Sequence, residues 1–576
     1  MQDNYTKREV MIPMRDGVGL FTAIYEPVLS SSGGAPIIIT RTPYSCKPYG
    51  ADFTGALSGY MRYFAENNYI IVFQDVRGRY MSEGVYENIR PFNPCKAEND
   101  IDEASDTYDS VEWLIENTLN NGNVGVTGVS YPGFYAAMAA LSGHPAVKAV
   151  SPQAPILDWY KGDDAHHNGV LMLLDTYSFG GSFYRPFETP YAKIPKYSSP
   201  IDKNVYDFFL EKGTMAGIRA SLQDNLPFMD SLLVHPDYDR FWKERSLEPY
   251  LRDISPAVLV VGGAFDTDDC YGAVNTYRII RENSPGTDVY FVYGPWYHGG
   301  WHNETYTSLG DIYFGEDISA YFMREIEYPF FRYYLEEKGE KPSPVSVYAS
   351  GNSSWEEYDS WPCSSIEYMP VYLAADRSLS CKICEKPGVY SYISDPLDPV
   401  PYMAQPGKGR DRTYMVADQS FLDSRDDVLS FFSPEQEDVL SLRGPVKVSL
   451  NISSTSDDVD LIVKLIDVFP DGYQMLVRGD VFRAKYRHGF DRPEPLKPGK
   501  VYGLDFTMPD IAHDVLPGHR LMVQIQSTWF PLMDRNPQKY MQNVYEAEKD
   551  DYHKAEVKVY YGRRRPSCIW LPVVGD

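Results

Sequence analysis

The chain has 576 residues, and its 54 lysines and arginines against 80 aspartates and glutamates give a net charge of −26. This length predicts two or three domains with ample core, and the negative charge argues against nucleic acid or anionic membranes as partners. No segment approaches the apolar length of a membrane-spanning helix, and the seven cysteines are too scattered for a disulfide scaffold.

Six short apolar segments in the first 300 residues are predicted to be β-strands. They alternate with helical stretches, of which residues 101–117 are the clearest because Tyr108, Val111 and Leu114 fall on one helical face. This alternation predicts an α/β fold with a mostly parallel sheet. The predicted strands are residues 35–40, 69–75, 124–129, 146–151, 257–263 and 289–293.

A serine follows the third predicted strand in a turn flanked by glycines. Residues 126–134 read Val-Thr-Gly-Val-Ser-Tyr-Pro-Gly-Phe, and a helix rich in small residues follows at 133–141. This strand, turn and helix arrangement is how a hydrolase exposes its nucleophile. A serine in this position can also be only a helix N-cap, so Ser130 alone does not decide the function.

A serine nucleophile needs a base and an acid that orients the base, and both follow in the chain. Asp266 comes just after the strand at 257–263, and His298 comes just after the strand at 289–293. Taken singly, the aspartate could be a turn residue and the histidine a structural side chain. Because the order Ser, Asp, His with each residue after a strand is that of α/β-hydrolases, we predict that Ser130, Asp266 and His298 form a catalytic triad.

The alternation of predicted strands and helices stops between the predicted nucleophile and the predicted acid. Aromatic residues crowd together there, as in Phe183-Tyr-Arg-Pro-Phe187. An insertion at this point of the chain is where a helical cap would cover the pocket. We therefore predict an α/β-hydrolase domain in two parts, residues 1–163 and 256–344, interrupted by a helical cap at 164–255.

The pattern changes again after the polar, proline-rich segment at 337–344. Short runs that alternate with period two follow, as is typical of half-buried antiparallel strands. We predict a β-sandwich domain over residues 345–576. The clearest runs are residues 445–452, 460–466, 520–526 and 555–560.

Several short motifs occur here in the order typical of one known superfamily. They are Met14-Arg-Asp-Gly17, Arg41-Thr-Pro-Tyr44, Gln74-Asp-Val-Arg-Gly-Arg79, Ser82-Glu-Gly84, Gly128-Val-Ser130-Tyr131-Pro-Gly133 and Gly294-Pro-Trp-Tyr-His298. Over nearly its whole length the chain resembles the superfamily of X-Pro dipeptidyl-peptidases, cocaine esterase and α-amino acid ester hydrolases. The resemblance implies that the β-sandwich is a jelly roll.

The oxyanion of acyl transfer needs preorganised hydrogen-bond donors. The backbone N–H of Tyr131, directly after the nucleophile, is the first donor expected in this fold. The resemblance implies that the hydroxyl of Tyr44 is the second.

Within the superfamily the chain most resembles the α-amino acid ester hydrolases, which bind the ammonium group of the substrate with three carboxylates. The resemblance implies that Asp164, Asp268 and Asp269 take this role, with Asp268 standing where the family has a glutamate. Three converging carboxylates repel one another unless a cation neutralises them or one stays protonated.

Other interpretations of these acids stay open at the level of sequence. They could be solvated loop residues of an acidic chain, or they could bind a hard cation such as Ca²⁺. His166 and His167 lie close by, but no zinc motif accompanies them, and we expect them to line the pocket or to lie in a helix. We predict no metal and no cofactor.

The predicted protein is a serine hydrolase or acyltransferase that cleaves esters or amides of α-amino acids, β-lactam antibiotics included, through an acyl-enzyme. Alternatives in the same superfamily are an X-Pro dipeptidyl-peptidase, a glutaryl or cephalosporin acylase, and a general carboxylesterase. An alternative from another class is a non-catalytic carbohydrate-binding protein with a decayed hydrolase domain.

The expected partners are small-molecule esters and amides or short peptides, with neither nucleic acid nor membrane. Family members include oligomers, so a homo-oligomer remains open. An exported enzyme with its signal peptide removed is favoured over a cytoplasmic one.

Overall fold

The computed structural model describes residues 4–28, 34–53, 55–193, 196–222 and 225–575. In the described residues before 360 there are fourteen strands, and most of them belong to one sheet. They are β1 (Tyr5–Pro13), β2 (Gly19–Pro27), β3 (Ala35–Thr42), β4 (Ile70–Asp75), β5 (Asn120–Val129), β6 (Val147–Gln153), β7 (His166–His167), β8 (Val170–Leu171), β9 (Ala257–Gly263), β10 (Val289–Gly294), β11 (Ser308–Leu309), β12 (Ile312–Tyr313), β13 (Val345–Ala349) and β14 (Ser354–Tyr358).

The described α-helices all lie in this first part of the chain. They are α1 (Arg62–Glu66), α2 (Glu103–Asn117), α3 (Tyr131–Ala140), α4 (Leu173–Phe183), α5 (Val205–Lys212), α6 (Met215–Ser221), α7 (Pro227–Val234), α8 (Arg240–Lys243), α9 (Cys270–Asn283), α10 (Ile318–Tyr321) and α11 (Tyr328–Glu336). None of the helices within the described ranges is both long and apolar enough to span a membrane.

The main sheet has ten strands in the order β1-β2-β4-β3-β5-β6-β9-β10-β13-β14. Its centre, from β4 to β13, is parallel, and β3 and β9 are buried along their whole length. Strands covered on both faces need continuous apolar sequence, which is why all six predicted strands coincide with observed ones. The carboxyl ends of these parallel strands lie at one edge, where an α/β fold binds its ligand.

Antiparallel hairpins complete both edges of the sheet. β1 and β2 pair at one edge, and β13 and β14 pair at the other. The second hairpin begins at residue 345, where the sequence predicted the β-sandwich domain to begin, so the hydrolase sheet takes in two further strands beyond the predicted boundary.

Helices are the main regular elements of the segment predicted as a cap, but they cover less than half of it. Helices α4 to α8 lie between β8 and β9, which puts them between Ser130 and Asp266 in the chain. The aromatic side chains Phe179 and Tyr184, from the end of α4 and just beyond it, border the cavities at the carboxyl edge of the sheet.

The C-terminal part is all β, as predicted, and consists of two antiparallel sheets. Its strands are β15 (Ile366–Leu373), β16 (Leu379–Ser380), β17 (Gly388–Ser394), β18 (Leu429–Glu435), β19 (Leu440–Ser454), β20 (Asp460–Val468), β21 (Gln474–Arg483), β22 (Tyr502–Val515), β23 (Arg520–Gln526), β24 (Ala555–Tyr561) and β25 (Cys568–Val574). One sheet runs β16-β15-β25-β19-β24-β17 with β22 paired to β19, and the other runs β18-β23-β20-β21.

The β domain packs against the loop that follows β9. The buried guanidinium of Arg478 donates from Nη2 to the carbonyl of Ala264, at 2.6 Å, and Arg278 on α9 forms an ion pair with Asp510, also at 2.6 Å. Since Asp266 lies two residues after Ala264, the β domain supports the loop that carries the predicted acid.

Candidate active site

Ser130 occupies a tight turn between β5 and α3. Its backbone angles are φ 69° and ψ −126°, a region that residues other than glycine rarely adopt, and its N–H donates to the carbonyl of Gln153 at 2.9 Å. A Cβ on Gly128 would lie 2.4 Å from the carbonyl oxygen of Pro132, and one on Gly133 would lie 2.4 Å from that of Gln153. The two glycines of the motif are therefore required because backbone approaches them closely on both sides of the serine.

Asp266 and His298 meet at the same edge of the sheet. Oδ2 of Asp266 lies 2.9 Å from Nδ1 of His298, while Oδ1 accepts the backbone N–H groups of Asp268 and Asp269 at 2.8 and 3.2 Å. The aspartate is buried, so these bonds fix its orientation and that of the imidazole. His298 and Ser130 border one cavity of about 320 Å³.

The carboxylates around His298 favour its protonated form. Burial lowers the pKa of this imidazole, but the charges of Asp266 and Asp268 and the hydrogen bond from Asp266 outweigh burial and raise the pKa to about 9. A base with this pKa is mostly protonated at neutral pH.

Tyr44 lies beside Ser130. The residue is 38% exposed and lines the same cavity as Ser130. Burial and the charge of Asp164 raise the pKa of this phenol well above its ordinary value, so it stays neutral and able to donate.

The side chain of Tyr131 points away from Ser130. This residue opens α3 directly after Ser130, and its phenol accepts the backbone N–H of Ile89 at 2.6 Å. The group of Tyr131 that neighbours Ser130 is therefore its backbone.

Two of the three predicted ammonium ligands lie close together beside this site. Asp164 accepts a hydrogen bond from Nε1 of Trp159 at 2.7 Å, and its N–H donates to the carbonyl of Asp268 at 2.8 Å. Asp269 is fully buried, and neither of its carboxylate oxygens has a hydrogen-bond partner among the described residues. Nδ1 of His298 lies 3.9 Å from Oδ2 of Asp269.

The proximity of these acids disfavours their charged forms. Burial and the charge of Asp268 raise the pKa of Asp164 to about 6, and burial and the charge of Asp164 raise the pKa of Asp269 well above its ordinary value. An added cation or a shared proton would relieve this repulsion.

The third predicted ligand, Asp268, already has a cationic partner that the sequence did not reveal. Arg410 of the β domain contacts both carboxylate oxygens of Asp268, and its Nη1 also donates to the hydroxyl of Thr267 at 2.6 Å and lies 3.2 Å from Asp175. Although burial raises the pKa of Asp268, the Arg410 charge holds it well below its usual range. Asp268 thus lines the cavity while it is already paired with Arg410.

The remaining acids and histidines of the region have structural contacts. Asp163 accepts the backbone N–H groups of Leu157, Asp158 and Gly272 at 2.7 to 2.8 Å. His166 and His167 form the short strand β7 rather than part of a helix. They face the β domain, where His166 pairs with Tyr545 at 2.7 Å and His167 with Asp480 at 3.3 Å.

One group of side chains in the described part of the chain has the spacing of a metal site. Ligand atoms of Asp266, Asp268 and His298 all lie within 4.8 Å of one another. The hydrogen bond between Asp266 and His298 and the ion pair with Arg410 engage these same groups, so the set does not fit a hard cation, which prefers free oxygen ligands.

The comparisons with known proteins cover both parts of the chain. The profile of the X-Pro dipeptidyl-peptidase (S15) family matches residues 16–300, and that of the X-Pro dipeptidyl-peptidase C-terminal non-catalytic domain matches residues 337–569. A cocaine esterase from Rhodococcus sp. (strain MB1 Bresler) is 28% identical, with 98% of each chain covered.

Two solved structures resemble the whole molecule. An aminopeptidase from the marine sediment archaeon Thaumarchaeota archaeon has a TM-score of 0.92 and 34% identity, covering 100% of this chain and 98% of the other. An α-amino acid ester hydrolase has the same TM-score and identity, covering 99% of this chain and 97% of the other.

Proposed function

Because the chain belongs to the family of X-Pro dipeptidyl-peptidases (S15) and cocaine esterases, we propose that it hydrolyses esters and amides of α-amino acids through an acyl-enzyme on Ser130. At the coarser level the protein is a hydrolase of the serine esterase and peptidase type. The jelly-roll topology of the two-sheet β domain is part of the same proposal and rests on the family resemblance.

One observation favours α-amino acid derivatives as the substrate class. The buried carboxylate of Asp269 has no hydrogen-bond donor among the described residues and lies next to Asp164, which lines the cavity that holds Ser130. A buried carboxylate in this position is costly unless it is protonated or meets a cation. The α-ammonium group of a substrate bound at Ser130 is a cation of the right size, and it would neutralise both acids.

In the mechanism that we propose, His298 takes the proton of Ser130 as the serine oxygen forms a bond to the substrate carbonyl carbon. The backbone N–H of Tyr131 and the hydroxyl of Tyr44 donate to the oxyanion. When the bond to the leaving alcohol or amine breaks, His298 gives the proton to that group. Water then attacks the acyl-enzyme with His298 again as base, which releases the acid and restores Ser130.

A bound substrate would also change the pKa of His298. Asp164 and Asp268 are among the groups that raise the pKa of His298. An ammonium bound beside these carboxylates reduces their field at the imidazole and lowers its pKa, so that His298 becomes a base when a substrate with a charged amine arrives. Amino acid esters would then react faster in the catalytic step, in addition to binding more tightly.

The test compares an amino ester with its deaminated analogue. We expect kcat/KM for phenylglycine methyl ester to exceed that for phenylacetic methyl ester, at a pH where the amine is charged, and Asp164→Asn to reduce this ratio at least about tenfold. A hydrogen bond to a charged group contributes about 1.5–3 kcal/mol, and 1.4 kcal/mol corresponds to a factor of ten.

Asp288→Asn is the control, because that aspartate pairs with Lys341 at 2.8 Å on the surface, away from the site. Equal rates for the two esters in the wild type would leave a serine esterase that ignores the ammonium, which contradicts the substrate class that we propose.

A further inference from the structure

A second cavity lies where the hydrolase sheet meets the helical insertion. Its volume is about 400 Å³, and it is lined by residues 78–79 and 84–88, residues 183–187 at the end of α4, and Pro227, Phe228 and Ser231 of α7. Pockets for small ligands have volumes of about 300 Å³ and above. None of its lining residues lines the cavity of Ser130, but a third cavity adjoins both, since it shares Tyr184 with this one and Asp164, Phe179 and Asp268 with the cavity of Ser130.

The guanidinium of Arg79 is the distinctive group of this chamber. The residue is 4% exposed, and its guanidinium carbon lies 4.3 Å from the ring centre of Phe183 and 4.8 Å from that of Tyr86. Its Nε donates to the carbonyl of Pro43 at 3.2 Å, and its Nη1 donates to that of Phe183 at 3.4 Å. Within the described part of the chain these are its hydrogen bonds, so Nη2 remains available to a ligand.

The chamber contains more positive than negative charge, although the chain as a whole is acidic. Arg185 lines it as well, and its one described carboxylate, Glu87, lies 3.1 Å from Arg90 and 3.2 Å from Arg245. No carboxylate of the described residues forms an ion pair with Arg79. A buried guanidinium between aromatic rings is the group that proteins use to bind a planar carboxylate.

This chamber adjoins the catalytic cavity across one aromatic ring. Phe183, whose ring lies against Arg79, has its ring centre 5.4 Å from that of Tyr44 and 5.6 Å from that of Tyr131. The carbonyl of Pro43, which Arg79 holds, belongs to the residue just before Tyr44. The acids Asp164 and Asp268 line the catalytic cavity and not this one, so opposite charges lie in neighbouring chambers.

We propose that the chamber around Arg79 binds the carboxylate of the leaving group, and that the favoured substrates are dipeptides or other aminoacyl amides whose amine half carries a carboxylate. This inference rests on the proposed function, since it needs the ammonium end of the substrate at the acidic cluster. In the reaction the bond from Ser130 Oγ to the acyl carbon forms first, and the C–N bond then breaks as the leaving amine receives the proton that His298 took from the serine.

The experiment measures kcat/KM for phenylalanyl-alanine and for phenylalanyl-alanine amide, which differ only in the terminal carboxylate. We expect the wild type to prefer the free dipeptide at least tenfold, and Arg79→Gln to bring the ratio close to one. Because both substrates are measured on the same enzyme preparation, the ratio does not depend on how much of the variant is folded. Arg240→Gln, which removes an exposed cation paired with Glu244 outside the chamber, should leave the ratio as it is in the wild type.

Equal rates for the two substrates in the wild type, or a ratio that Arg79→Gln leaves unchanged, would overturn the proposal. So would cleavage of amino acid methyl esters with no cleavage of either dipeptide. In these cases a persisting preference for phenylglycine over phenylacetic methyl ester would show that the proposed function stands and that only the leaving-group site is wrong. Loss of that ester preference would refute the proposed function itself.

Discussion

The imidazole of His298 lies close to three carboxylates. Its Nδ1 is 2.9 Å from Asp266, 3.7 Å from Asp268 and 3.9 Å from Asp269. Only the first distance is a hydrogen bond, and the other two act through charge. At the scale of single residues, the acids that would attract an ammonium group therefore also set the protonation of the base.

This coupling predicts the pH dependence of the enzyme. Because the pKa of His298 is raised to about 9, the unprotonated base forms only as the pH rises, and kcat/KM should increase up to about that pH. Phenylacetic methyl ester is the substrate for this measurement, since it has no amine that titrates. Asp268→Asn removes one cause of the raised pKa and should move the rising limb to lower pH.

The same profile measured with Asp288→Asn should match that of the wild type. A rising limb near the ordinary histidine pKa of about 6.5, unchanged by Asp268→Asn, would contradict the electrostatic account.

At the scale of elements, one loop of the β domain connects three parts of the site. The carbonyl of Gly407 accepts the N–H of Val205 at the start of α5, Arg410 pairs with Asp268, and the Arg412 guanidinium lies 4.8 Å from the ring centre of Tyr297, next to His298. The loop thus contacts the helical insertion, the acid loop and the histidine loop. A domain described as non-catalytic in its relatives supplies a charge to the candidate active site here.

We predict that Arg410→Gln destabilises the protein. The change leaves Asp268 without its cation beside Asp164 and Asp175, and breaking a buried ion pair by removing one partner costs about 3–5 kcal/mol. With Asp268 uncompensated, the rising limb of the pH profile should also move to higher pH. Thermal or urea unfolding and the pH profile of kcat/KM measure the two effects.

The double variant Arg410→Gln/Asp268→Asn is the matched control, because it removes both charges and should recover much of the lost free energy of unfolding. Equal stability of the wild type and Arg410→Gln would show that this ion pair does not hold the loop in place.

At the scale of the whole molecule, the central strands and the tight turn at Ser130 could be predicted from sequence. A buried parallel strand is a continuous apolar run, and the turn at Ser130 has a local glycine pattern, so both signals lie within a few residues. The edge hairpins were missed, although β2 and β13 are buried along most of their length, because their outer strands β1 and β14 carry no such run. β1 contains the sequence Tyr-Thr-Lys-Arg-Glu, and β14 is only partly buried.

The pairing of Arg410 with Asp268 could not be predicted from the sequence. It lies 142 residues after Asp268, in another domain, and no local motif marks it as a partner of the acid loop. Its position follows from how the β domain packs on the hydrolase sheet, which the pattern of one sequence does not contain. Arg79 differs, because its motif could be recognised in the sequence. The structure was needed to show that its guanidinium lines a chamber and forms no ion pair with the described residues.

The central claim is that Ser130 is the nucleophile of a serine hydrolase, and covalent labelling tests it most directly. The enzyme is incubated with a fluorophosphonate, which phosphonylates activated serines, and its intact mass is measured before peptide mapping. We predict one adduct per chain, located on Ser130, and no adduct on Ser130→Ala. An unlabelled wild type that is otherwise folded, or an adduct that persists in Ser130→Ala, would contradict the account.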